Sequence, residues 1–194
     1  MKLVFATHNP NKFEEVVQLL PATIQLLSLD DIGCLDEIPE TGDTLEENAK
    51  MKADFVTLNF GYSCFADDTG LLVDALNGAP GVHSARYAGE QRNPDDNIEK
   101  LISELGQSDQ RSARFKTVIA LNFEERSHLF SGIVEGEITY KRTGDLGFGY
   151  DSIFLPKGYD KTFAELPLRV KNQISHRGQA MLRLINHLKS RYDN

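Results

Sequence analysis

Two adjacent carboxylates, Asp67 and Asp68, stand at the end of an apolar run, Tyr62 to Ala66. A carboxylate in that position can bind a hard cation such as Mg2+ through oxygen, or accept a proton from an attacking water. Side chains alternate faces along a strand, so the two cannot both enter one site. One faces it, and the other makes structural hydrogen bonds. Taken alone, the pair favours a plainer reading, an acidic turn that satisfies its own backbone. Glu40, in Pro39-Glu40-Thr41-Gly42, is a candidate second oxygen ligand. Asp36, Glu37 and Asp43 compete for that role, and a loop Glu is more often a solvated surface group.

A second cluster is basic. Leu3-Val4-Phe5-Ala6 reads as a buried strand that runs through Thr7-His8-Asn9-Pro10-Asn11-Lys12 into a helical pattern, with Phe13, Val16, Val17 and Leu20 on one face. Asn9 suits the N-cap and Pro10 the first helical position. Such a terminus offers backbone N–H groups and the positive end of a dipole to an anion such as phosphate, and Lys12 adds a full charge. The turn lacks the glycines of a Walker loop or a dinucleotide fingerprint. Ser175-His176-Arg177-Gly178 opens the last helix, with Lys171 four residues earlier. Basic residues at a helix N-terminus oppose the dipole, so either a bound anion or salt bridges must compensate.

Gly147-Phe148-Gly149-Tyr150-Asp151 sets two aromatics and a carboxylate among flexible residues. A ring there can stack on a nucleobase, and Asp151 can accept a hydrogen bond from it. A turn with two core aromatics is equally compatible with this segment alone. Ser84-Ala85-Arg86-Tyr87 reads as a packed loop anchor. A metal site, several cations and an aromatic turn together are what a nucleoside triphosphate requires.

The elements that must position these groups alternate early between strand and helix. Ile24 to Leu27 is a strand after the first helix. Thr44 and Glu47 form a capping box for a helix through about Leu58. Leu71-Leu72-Val73 is extended, and Asn77 to Arg92 is a long ordered loop. Asn93-Pro94 opens a third helix with Ile98, Leu101, Ile102 and Leu105 inward. Two long antiparallel strands span Ala113 to Tyr140, joined near Glu124 to Ser127. A helix from near Ser175 carries Met181, Leu182, Ile185 and Leu188. The pattern predicts an α/β protein with a mixed sheet, as two lobes around a cleft rather than two independent domains.

The chain has 194 residues, 40% hydrophobic and 26% charged, with 21 Lys+Arg against 29 Asp+Glu and a formal charge of −8. That balance argues against broad nucleic-acid or anionic-membrane binding, but not against a small anionic substrate held in a basic pocket or by a metal. Cys34 and Cys64 read as two reduced thiols of a cytoplasmic protein. No signal-peptide pattern or membrane-length apolar run is expected.

These motifs resemble the inosine triphosphate pyrophosphatases, also called dITP/XTP pyrophosphatases. The likeness rests on Phe5 to Lys12, Glu40 to Ala49, Ala66 to Leu71, Gly78 to Tyr87, Gly147 to Asp151 and Ile174 to Ala180, in order and over almost the full length. It implies one domain over residues 1–194, with an elongated mixed β-sheet flanked by helices and an active-site cleft between two lobes. It also implies a homodimer and Mg2+-dependent hydrolysis of ITP, dITP or XTP to the monophosphate and pyrophosphate.

Carried over residue by residue, Thr7, His8, Asn9, Pro10, Asn11 and Lys12 match the phosphate-contacting turn. Asp68 matches the catalytic acceptor and a metal ligand, and Glu40 the other ligand. Thr69 matches a substrate contact that is often Ser, while His8 stands where many members carry Gly. Phe148, Gly149, Tyr150, Asp151, Lys171, His176 and Arg177 match nucleotide-binding positions. Two rivals stand beside this reading. One is a related pyrophosphatase of the septum-inhibition type, preferring modified pyrimidine or methylated nucleotides. The other is a non-catalytic nucleotide-binding regulator.

Overall fold

The structure, a computed structural model, describes residues 1–192. Its strands form a seven-stranded sheet in the order β2-β1-β3-β5-β6-β7, with β4 paired to β3. The strands are β1 (Lys2–Phe5), β2 (Gln25–Leu27), β3 (Cys64–Val73), β4 (Pro80–Gly81), β5 (Ser112–Phe123), β6 (Arg126–Ile138) and β7 (Phe154–Pro156). β1 is parallel to β2 and β3, whereas β4 on β3 and β7 on β6 are antiparallel. The sheet is therefore mixed, as expected. Helices α1 (Pro10–Val17), α2 (Leu45–Phe60), α3 (Pro94–Leu105), α4 (Leu168–Ile174) and α5 (His176–Tyr192) complete the fold.

The signals read from sequence act as written at the helix starts. Asn9 and Asn93 cap α1 and α3, each followed by Pro, and Thr44 with Glu47 forms the capping box of α2. β5 and β6 are joined by Glu124 and Glu125, both at positive φ, the backbone a two-residue hairpin requires.

Three expectations shift. β3 does not end at Asp67-Asp68 but runs on to Val73, because cations from three helices neutralise both carboxylates within the strand. Residues 77–92 are not simply loop; they hold β4 and a 3-10 turn, Ser84–Arg86. α4 is an additional helix of seven residues, too short for its periodicity to register beside the stronger α5 pattern.

The chain divides into two compact units. The first, residues 1–68, 117–132 and 177 onward among the described residues, is built on a core of Leu3, Phe5, Phe65, Ile119, Leu121 and the inward face of α5, including Met181, Leu184 and Leu188. The second, residues 69–116 and 133–176, packs Leu71, Val73, Leu101, Phe115, Ile153, Phe154 and Phe163. Burying such side chains contributes about 1.5–3 kcal/mol each. No helix of the described residues is long and apolar enough to cross a membrane.

Candidate active site

In the first unit the acidic and basic residues meet on β3. Asp67 is 1% exposed and Asp68 8% exposed. Strand alternation gives them different partners. Asp67 accepts from Lys12 Nζ of α1 at 3.0 Å and from Arg177 Nη2 of α5 at 2.9 Å. Asp68 accepts from Asn48 Nδ2 of α2 at 3.1 Å, and its Oδ1 lies 3.7 Å from Lys52 Nζ.

Their protonation is pushed in opposite directions. Burial opposes ionisation of Asp67, but Lys12, Arg177 and Lys52 outweigh it and hold its carboxyl well below the usual range. Burial raises Asp68, and Glu40 adds to this against the opposing pull of Lys52, Lys12 and Asn48. Neighbouring carboxyls driven apart in this way suit separate roles: Asp67 as a fixed anion, Asp68 as a proton acceptor.

α2 organises the second side. Asn48 and Lys52 lie one turn apart on one face of the helix. Asn48 Oδ1 accepts the Gly42 N–H at 2.8 Å while its Nδ2 serves Asp68, so one buried amide ties the Glu40-bearing loop to the strand. A Cβ at Gly42 would stand 2.6 Å from Glu47 Cβ, so the loop can lie against α2 here because the residue is glycine. Lys52 Nζ also donates to Glu40 Oε1. Of the acids between positions 36 and 43, Glu40 is the one that shares a lysine with Asp68, whereas Asp36, Glu37 and Asp43 are exposed. Asn48 and Lys52 were not singled out from sequence. Their i, i+4 spacing inside an ordinary amphipathic helix carries no signal until Asp68 is placed opposite.

The turn at α1 is partly self-satisfied. Asn9 Oδ1 accepts from the Asn11 and Lys12 N–H groups at 3.0 and 3.2 Å, and Thr7 Oγ1 accepts from the Asn9 N–H. His8 is exposed, with Nε2 3.0 Å from the Asp36 carbonyl. Thr7 to Pro10 border a groove of about 500 Å3 whose other walls are Phe13, Glu14, Val17, Gln18 and Ser28 to Asp30, and which Lys12, Glu40 and Asp68 do not line. Arg177, 2% exposed, resolves the dipole conflict of α5 with protein carboxylates: besides Asp67 it donates to Glu15 Oε2 at 2.5 Å. Glu15 was also missed, because a single Glu on a helix reads as solvated.

The second unit holds the other predicted residues. Thr69 follows Asp68 on β3 and is half-buried. Tyr150 is a core aromatic, its hydroxyl donating to the Ser84 carbonyl at 2.8 Å. Phe148 is half-buried, and Lys171 Nζ lies 4.9 Å from its ring centroid. Asp151 Oδ2 accepts from Lys171 Nζ at 2.5 Å and from the Phe148 N–H at 2.8 Å. Gly147, at φ +74°, allows this turn, since a Cβ there would come within 2.1 Å of Asp151 Oδ2. Gly149 begins the 3-10 segment that carries Tyr150 and Asp151. His176 is 3% exposed and stacks on Phe115, ring centroids 4.6 Å apart.

Among the described residues no three His, Cys, Asp or Glu side chains gather to cage a metal ion. Glu40 and Asp68 nevertheless form a hard two-carboxylate donor set. That fits Mg2+, which is commonly held by one or two carboxylates together with substrate phosphates and water.

Fold and site together define an α/β protein that brings a carboxylate pair on β3 beside a lysine-bearing helix turn. The chain belongs to the Ham1 family, whose sequence model matches residues 3–187. It is 60% identical over 188 residues to the dITP/XTP pyrophosphatase of Flavobacterium johnsoniae, covering 97% of this chain and 98% of the relative. The dITP/XTP pyrophosphatase of Bacillus subtilis is 47% identical over 191 residues, covering 96% of each. The solved Ham1 protein of Staphylococcus aureus superposes with a TM-score of 0.89 at 38% identity, covering 98% of this chain and 100% of that one.

Proposed function

We propose that this protein hydrolyses non-standard purine nucleoside triphosphates, ITP, dITP and XTP, to the monophosphate and pyrophosphate, and so cleans the nucleotide pool. The observation that carries the reading is the pairing of Asp68 with Glu40 through Lys52, beside a second carboxylate, Asp67, already committed to Lys12 and Arg177. The names of the relatives support the same substrate class.

Glu40 and Asp68 would hold Mg2+, which when bound neutralises phosphate charge and lowers the pKa of water. Asp68 accepts the proton of the attacking water. Oxygen from that water bonds to the α-phosphorus, the bond to the bridging oxygen breaks, and pyrophosphate leaves with the electron pair. Lys12 and the Thr7 to Asn11 turn stabilise charge on the phosphates. Asp67 holds Lys12, and Arg177 in turn holds Asp67. In the second unit Phe148 offers a face to the base, with Asp151, Lys171 and His176 as polar readers. Rejecting a standard base by leaving one buried group unpaired costs on the order of 1–3 kcal/mol, so strong selectivity draws on several such contacts.

The homodimer, the single two-lobed domain over residues 1–194 and a cytoplasmic location belong to this reading through the family resemblance. No nucleic-acid or membrane partner is part of it. The test is a panel of standard and non-standard triphosphates with Mg2+, with pyrophosphate and orthophosphate both quantified. Preference for ITP, dITP and XTP with pyrophosphate release is the expected result. Preference for methylated or modified pyrimidine nucleotides would favour the septum-inhibition-type alternative, and tight ITP binding without turnover would favour a regulator.

A further inference from the structure

The oxygens that would hold the divalent cation are the ones that hold Lys52. Its Nζ donates to Glu40 Oε1 and lies 3.7 Å from Asp68 Oδ1. The other Asp68 oxygen, Oδ2, is fixed by Asn48 Nδ2 at 3.1 Å. One helix face thus offers Asp68 two different neighbours. Asn48 is a short, neutral amide held by Gly42, whereas Lys52 is an ammonium on a four-carbon stem that can swing. Lys52 is 7% exposed, so its charge is largely withdrawn from water and depends on these carboxylates.

Resting on the reading above, we propose that Lys52 is a place-holder for the divalent cation. Its ammonium and the cation compete for Glu40 Oε1 and Asp68 Oδ1, and a polyphosphate relieves the competition by accepting the displaced ammonium. Metal and triphosphate then bind with positive coupling, each strengthening the other by the same factor. The free metal binds weakly, and the carboxylate pair is kept neutralised until a polyphosphate arrives.

The experiment measures Mn2+ binding by electron paramagnetic resonance, alone and with inorganic tripolyphosphate, for wild type, Lys52→Met and the exposed-lysine control Lys50→Met. Lys52→Met should bind Mn2+ alone about tenfold more tightly, ~1.4 kcal/mol, with a smaller gain from tripolyphosphate than wild type shows. Lys50→Met should match wild type. Equal or weaker Mn2+ binding by a folded Lys52→Met overturns the place-holder, and so does an equal tightening in Lys50→Met.

The wild-type chain supplies a second readout that does not depend on the variant folding. Saturating Mg2+ should increase acetylation of Lys52 by dilute acetic anhydride, read by peptide mass spectrometry against Lys100 as internal standard. Unchanged Lys52 labelling overturns the proposal. Mg2+-dependent ITP hydrolysis by wild type together with such a negative result would leave the catalytic reading standing. Failure of wild type to bind Mn2+ with or without tripolyphosphate would end both.

Discussion

Arg177 reaches Asp67 with two nitrogens on one oxygen, Nε at 3.1 Å and Nη2 at 2.9 Å from Oδ2, joining the start of α5 to the middle of β3. Its third nitrogen serves Glu15. Both partners are buried, so the arginine is the charge balance for two acids at once. Arg177→Met takes this guanidinium from both acids, leaving Asp67 to Lys12, and should cost about 3–5 kcal/mol of stability, read as a shift in the urea midpoint. A loss below 1 kcal/mol would show that the pair carries no such burden.

Asp67 also sets an acid limit. Its folded carboxyl titrates far below the ordinary 3.8, so between those limits the unfolded chain binds more protons there than the folded one. Stability from this group is therefore complete above the ordinary value and is lost as pH falls below it. Asp68 has the opposite sign: burial raises its folded value, so its ionisation removes stability as pH rises through that value. As pH drops below the ordinary 3.8, melting temperatures should fall more steeply in wild type than in Asp67→Asn, whose remaining Asp68 contribution has the opposite sign. Parallel profiles would refute the assignment.

Asn48 holds loop and strand together, accepting from Gly42 and donating to Asp68. Asn48→Ala should lower stability by about 1–3 kcal/mol, since both partners lose a buried hydrogen bond. It should also weaken Mn2+ binding, because Glu40 and Asp68 lose their common brace. Undiminished metal affinity would place Asn48 outside the site.

Burial pulls Lys12 below the ordinary lysine value, Lys52 and Arg177 push the same way, and Asp67 and Asp68 oppose them. A lysine so desolvated gains from an additional anion. Lys12→Ala should therefore weaken binding of the triphosphate substrate more than that of the monophosphate product, by about tenfold in the ratio of Kd values. Equal losses for both ligands would argue against contact with the outer phosphates.

Much of this arrangement was legible in the residues themselves. Asn9-Pro10, Thr44 with Glu47 and Asn93-Pro94 mark helix starts through local hydrogen bonding, and the structure forms each as read. Asp67 and Asp68 could be assigned different roles because a strand alternates its faces, and their partners differ accordingly. Which of the two is committed to Arg177 could not be read, because that pairing spans much of the chain. Glu15, Asn48 and Lys52 were invisible for the same reason: each is an ordinary helix residue until tertiary packing buries it beside an acid or a base. Phe148 and Tyr150 could be read from sequence either as stacking rings or as core aromatics; Tyr150 is buried, and its hydroxyl donates to the Ser84 carbonyl.

The most direct test is ITP hydrolysis with Mg2+ in isotopically labelled water, wild type beside Asp68→Asn. Labelled IMP with unlabelled pyrophosphate, and a loss of about 10²-fold or more in the folded Asp68→Asn, is the predicted result. IDP with orthophosphate, label in pyrophosphate, or full turnover by Asp68→Asn would contradict the account.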